Sequence, residues 1–237
     1  MAIACTALMA SCNDESKGDS THLDSIIGKA SPTIENGIMT PEVLHSFGRI
    51  GDVQVSPNNE ELLYHVTYVD IEKNKTNTEI FKMNVDGSEK KQLTFTNDHE
   101  SSAQWIDGGN KIAFLKNHEG SSQLWVMNAD GSGAECISDV EGGISGFTYS
   151  PDETKVMYVK KIKSVETIAE RHPDLPNATG RVVDDLMYKH WDHWVEEIPH
   201  TFYATIKNGK LADHVDLLEG EPYEAPLLPF GGTGDVA

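Results

Sequence analysis

Asn84–Thr94 reads NVDGSEKKQLT, and Asn128–Gly133 reads NADGSG. Each copy ends a short apolar run, IFKMNVDG in the first and LWVMNADG in the second. A β-branched or aromatic run that meets Asp-Gly reads as a strand entering a hairpin turn, because glycine takes positive φ without a steric penalty. Asp130–Gly131 follows Asp86–Gly87 by 44 residues. Outward from these turns the surroundings repeat as well. VSPNNEELLY at Val55–Tyr64, WIDGGNKIAF at Trp105–Phe114 and YSPDETKVMY at Tyr149–Tyr158 are each a tight polar turn feeding a strand. A period of about 40–50 residues holding four short strands is the signature of a propeller blade.

The fold class expected is therefore all-β: a β-propeller of four-stranded antiparallel blades, incomplete, with roughly four blades represented. Three units are full, and EPYEAPLLPFGG at Glu221–Gly232 reads as the entry to a further one. The Ser-Pro turn expected next is not reached by Ala237. TPEVLHSFG at Thr40–Gly48 predicts a short N-terminal helix, with Thr40 as N-cap and Pro41 in the first turn. After VMYVKKI the period breaks. SVETIAERHPDL has a helical pattern, and HTFYATIKNGKLADHVDLLEG reads as a hairpin with an Asn208–Gly209 turn in a divergent fourth unit. Between them lies a mixed aromatic insertion at a blade edge, with Tyr188, Trp191 and Trp194.

The chain has 237 residues, 38% hydrophobic and 24% charged, with a formal net charge of −19. That field repels phosphate backbones and disfavours nucleic acid as a partner. Of the three cysteines, Cys5 and Cys12 lie in the first dozen residues and Cys136 stands alone, so no disulfide framework is visible. MAIACTALMASC is too short for a spanning helix and reads as the apolar part of a secretory signal; an ordinary apolar segment is the alternative. Its end resembles a lipobox, which would lipidate Cys12 and place the protein in the periplasm or cell envelope, tethered to the membrane. Residues 1–12 are thus taken as the signal-like segment, 13–39 as a flexible linker and 40–237 as the partial propeller.

VSPNNEELLY, YSPDETKVMY and the two Asp-Gly motifs resemble the blades of prolyl oligopeptidase-type serine peptidases. DDLMYKHWDHWVEEIPHTF, followed by GEPYEAPLLPFGG, narrows the resemblance to the dipeptidyl-peptidase V and acylaminoacyl-peptidase branch, in particular its secreted bacterial members. The resemblance covers about Thr40 to Ala237. It implies a propeller that precedes a C-terminal α/β-hydrolase domain as its partner, a peptide substrate, no cofactor, and allows a homodimer. The hydrolase nucleophile belongs in a G-x-S-x-G elbow, and GGISGF at Gly142–Phe147 does not meet that spacing. No catalytic residue is therefore assigned in this chain, and the expectation is a propeller fragment of a serine exopeptidase. The other reading is a self-contained periplasmic propeller that binds or scaffolds partners.

In dipeptidyl-peptidase branches, propeller acids hold the peptide's free α-amine, since a buried ammonium needs carboxylate partners. Glu196 and Glu197 are the candidates here, with Trp191 and Trp194 flanking the ammonium by cation–π contact. Packing of the insertion onto its blade is the alternative role for the tryptophans. No metal is assigned: His190 and His193 in HWDHW stand three apart, not four, and no third ligand is placed.

Overall fold

The computed structural model describes residues 26–184, 186 and 188–235. The signal-like segment with Cys12, and the first half of the linker, lie outside the described residues. Thr40 caps the short helix α1 (Pro41–His45), its hydroxyl accepting from Val43 N at 3.3 Å. The chain then builds three antiparallel four-stranded sheets. The first holds β1 (Arg49–Val55), β2 (Glu61–Asp70), β3 (Lys75–Asn84) and β4 (Lys91–Gln92). The second holds β5 (Ser101–Ile106), β6 (Lys111–His118), β7 (Ser121–Asn128) and β8 (Glu135–Cys136). β9 (Gly146–Tyr149) and β10 (Lys155–Lys163) begin the third sheet. After the insertion, with α2 (Ile168–Arg171) and the small hairpin β11 (Lys189–His190) and β12 (His193–Trp194), β13 (Glu197–Lys207) and β14 (Lys210–Asp216) complete it.

One sequence expectation needs correcting. The hairpin around Asn208–Gly209 does not belong to a fourth unit. β13 pairs with β10 along its length, so this hairpin is the outer half of the third blade. The insertion interrupts that blade between its second and third strands.

The two Asp-Gly turns are the same object built twice. Asn84 and Asn128 each accept from the glycine three residues on, Gly87 N and Gly131 N, at 2.9 Å. The aspartate of each turn accepts from the following serine N–H, Ser88 and Ser132, at 2.9 Å. These bonds hold both aspartates ionised below the usual carboxylate range, the serine hydroxyl and N–H being the largest causes. Lys91 donates to the Asp130 carbonyl at 2.7 Å, which ties the edge of the first sheet to the turn of the second.

The core lies between sheets. Leu63, Ile80, Leu93, Ala103, Ile112, Phe114 and Met127 form one apolar layer where the first sheet meets the second. Ala113, Leu115, Leu124, Ile144, Phe147, Val156 and Tyr158 belong to another where the second meets the third. β6 therefore buries a continuous run, Ile112 to Leu115, with alternate residues sent to opposite sides.

A polar position also repeats. Leu62, Ile112 and Val156 pair with Val55, Trp105 and Tyr149 in their own sheets, which sets the second strands in common register. Four residues on, Val66, Lys116 and Lys160 face Glu79, Gln123 and His200 across the sheet. All three of these partners are buried. Each blade then passes to the next by one backbone bond: Glu100 N to Thr78 O, Ile144 N to Ser122 O, and Ala225 N to Pro199 O, at 3.1, 2.8 and 2.9 Å. The last places the segment at Ala225 on the path by which the second and third sheets begin, although no strand follows it among the described residues. No helix among the described residues is long and apolar enough to cross a membrane.

Candidate functional site

Strand direction decides which loops share a face. The first strand of each sheet starts on the side where the second strand ends and the third begins. The Ile71–Asn74 turn, the Glu119–Gly120 turn and the whole insertion therefore crowd one face of the sheets, and the Asp-Gly turns lie on the other.

The insertion leaves and rejoins the third blade through a closed neck. Ser164 N donates to Glu196 O at 3.0 Å, directly beyond the Lys163–Glu197 register pair. Thr167 and Glu170 form a capping box at α2. Lys163 meets the Glu170 carboxylate, and this contact, with the Thr167 bonds, pulls Glu170 down to about 2. Arg171 reaches Asp184 at 3.0 Å and Glu166 at 3.7 Å.

Trp194 is the centre of the aromatic part. Tyr188 lies 5.9 Å from it, and two of the chain's own cations, Arg181 and Lys189, each sit 4.6 Å from its ring centroid. Arg181 Nε also donates to Glu196 Oε1 at 2.8 Å. A cation held between an indole face and a carboxylate is the arrangement an ammonium would find favourable. Glu197 opens β13 and is exposed. Trp191, at positive φ, stands apart from Trp194 and meets Phe230 edge-on at 5.6 Å. The structure thus brings Glu196 and Trp194 together around Arg181, leaves Glu197 at the neck, and turns Trp191 toward the C-terminal segment.

The histidines of HWDHW face different partners. His190 Nε2 lies 3.0 Å from Glu224 Oε1, both side chains largely covered, while His193 meets its exposed neighbour Asp192. The Asp192 carboxyl is held below its ordinary range chiefly by the His193 contact. Glu224 Oε2 in turn accepts from Leu228 N at 2.9 Å. His190 and Trp191 therefore clasp the insertion to the segment that leaves the third blade. Ser145, the serine of GGISGF, donates to the Val159 carbonyl at 3.2 Å and precedes a strand rather than a helix, the opposite of an elbow setting.

No family model matches the chain. It is 45% identical over 218 residues to dipeptidyl-peptidase 5 of Porphyromonas gingivalis, covering 90% of this chain and 32% of that protein. Against dipeptidyl-peptidase 5 of Porphyromonas endodontalis the figures are 41% over 205 residues, 86% and 30%. The chain is a relative of the dipeptidyl-peptidases 5. It spans about a third of the length of these curated relatives. In fold it is similar to an acylaminoacyl peptidase solved with Z-Gly-Gly-Phe-chloromethyl ketone, at a TM-score of 0.56, 16% identity, 73% of this chain and 26% of that one. The Pyrococcus horikoshii acylaminoacyl peptidase gives 0.55 over 73% and 25%. The resemblance read from the blade motifs and the aromatic stretch is thereby shown, and the sheets have the fold of propeller blades.

Sequence reasoning missed Arg181, Lys189, Glu224 and Phe230 as parts of this face. Arg181 lies well before Glu196, and the loop path that joins them carries no periodic signal. The Glu224 and Phe230 contacts depend on how the blade exit folds back over the insertion.

Proposed function

We propose that this chain is the propeller part of a serine exopeptidase that releases dipeptides from peptide N-termini, with an α/β-hydrolase domain as its catalytic partner. The observation that carries the reading is the 45% identity to a dipeptidyl-peptidase 5 over 90% of the chain. In this role the blades screen the reaction and the insertion selects the peptide. The peptide's α-ammonium takes the place Arg181 holds, between the Trp194 ring and the Glu196 carboxylate, with Glu197 adding negative charge at the neck and Trp191 bounding the approach. Fixing the amine fixes which peptide bond reaches the nucleophile, which is specificity by positioning. A periplasmic or cell-envelope location with lipid on Cys12, and a homodimer, belong to the same proposal.

The test uses the full-length peptidase. Glu196→Gln and Glu197→Gln are expected to raise KM for free-amine dipeptidyl substrates by about tenfold, the cost of one weakened ionic contact. N-acylated substrates, which carry no ammonium, should respond far less. Equal KM values for wild type and both variants would remove the two glutamates from the amine site.

A further inference from the structure

The polar position that repeats through the blades is filled differently at the first junction. In the second blade Gln123 uses both ends of its amide. Oε1 accepts from Val140 N at 3.0 Å and from the Ser138 hydroxyl at 2.6 Å, and Nε2 donates to the Val140 carbonyl at 2.8 Å. In the first blade Glu79 stands at this position, and its Oε1 accepts from Thr96 N at 2.9 Å in the same way. The donor role passes to Asn77, whose Nδ2 reaches the Thr96 carbonyl and Glu79 Oε1, both at 2.8 Å. Glu79 Oε2 is left buried with no donor.

The residue beside it is also an acid. Beside Glu79, whose Oε1 takes the Thr96 N–H, Glu100 occupies the crossing point where the next junction has Ile144. Its Oε1 accepts from the Thr96 hydroxyl at 2.7 Å. Glu79 is 1% exposed and Glu100 is 0% exposed. Two carboxylates that bind the same threonine at such burial cannot both carry charge.

We propose that Glu79 and Glu100 share one proton, and that this proton fastens the first blade to the second. The shared proton supplies the donor that the buried Glu79 Oε2 otherwise lacks. It joins β3 of the first blade to the residue from which β5 of the second sets out. The groups facing the pair are neutral but for one cation. Asn77, Thr94 and Thr96 are neutral. His99 turns away to the Thr78 hydroxyl at 3.1 Å, and Asp98 presents its backbone N–H to Thr96. Tyr68 of β2 is a neutral phenol, pushed up first by burial and then by the charges of Tyr64 and Glu79. Lys116 of β6 is the cation that favours ionised Glu100, and it sits 5.0 Å from the Trp125 ring. Burial is the largest influence on both acids and pushes both up, Glu100 to about 8.

The sign of the linkage follows. The unfolded chain releases this proton near the ordinary carboxyl value of 4.5, and the folded chain keeps it up to about 8. Between those limits folding takes up a proton, so the stabilisation is complete below the lower value and is lost as pH rises through the upper one. The folding constant should fall about tenfold per pH unit within that window on account of this proton.

The experiment is denaturant unfolding of the full-length protein between pH 5 and 9, as wild type and as the pair variant Glu79→Gln with Glu100→Ile, which copies the second blade's own residues. The pair variant should lose about one proton's worth of the slope. Parallel profiles for the two proteins overturn the proposal. An infrared carbonyl band from a protonated carboxylic acid at neutral pH, present in wild type and absent in Glu100→Gln, reads the proton directly if the pair variant fails to fold. Absence of the band in wild type, or its loss on adding calcium together with a gain in stability, would mean that the pair is held otherwise, and would equally overturn it.

Discussion

At Gly131 a Cβ would stand 2.9 Å from the Leu93 carbonyl oxygen, while at Gly87, the matching residue of the first turn, it would meet nothing within 4 Å. Both glycines have strongly positive φ, 88° and 84°. Gly87→Ala therefore meets only the backbone penalty, about 1 kcal/mol. Gly131→Ala must also move a neighbouring blade's backbone, and should cost about 2–4 kcal/mol. Chemical denaturation of the two variants checks the order, and equal costs would show the turns to be interchangeable. The Asp-Gly pair was legible in the sequence as a turn at both places. The close approach at Gly131 was not, because Leu93 belongs to another blade and no local pattern reports it. Glu79 was hidden for the same reason: an acid in a strand reads as a solvent-facing residue until the register with Gln123 and His200 shows that the position is buried in every blade.

At the scale of the element, the insertion is set off from the blade that carries it. Its neck closes by the Ser164–Glu196 backbone bond beside the last β10–β13 pair, so the hairpin ladder does not depend on what lies beyond it. Replacing residues 166–194 by a short glycine-containing turn should leave the strand signal in circular dichroism intact and lower the melting temperature by only a few degrees. On the proposed function, the same change in the full-length protein should erase discrimination between free-amine and acylated substrates. Loss of the folded state would show that the insertion carries the blade. The strands themselves were readable from alternating apolar runs and their turns. The assignment of β13 and β14 to a separate unit failed because about 30 residues of insertion displaced them from the 44-residue period, and periodicity has no means of pairing strands across such a gap.

At the scale of the molecule, the first sheet and the segment that leaves the third each expose apolar side chains. Ile50, Val53 and Val55 of β1 are exposed at one end, and Leu217, Tyr223, Leu227 and Phe230 at the other. β1 carries a bulge between Gly51 and Gln54, as β5 does between Ser101 and Gln104, and among the described residues only β5 has a preceding sheet to cover it. Patches of this kind mark contact surfaces. The chain by itself is expected to self-associate in sedimentation velocity, and Ile50→Lys with Val53→Lys should shift it toward monomer; a single sharp monomer boundary for the unaltered chain would contradict this. The propeller class and its repeat were written in the sequence, while the location of the seams was not, because hydrophobic pattern names buried residues without naming what buries them. The seams also set how energy is partitioned. Ile112 and Ala113 are covalent neighbours that serve different layers, whereas Phe114 and Leu63 lie far apart in the chain and share one. Thermodynamic coupling in this protein should therefore run across the chain rather than along it: adjacent positions on β6 behave as strangers, and residues half a domain apart answer to each other.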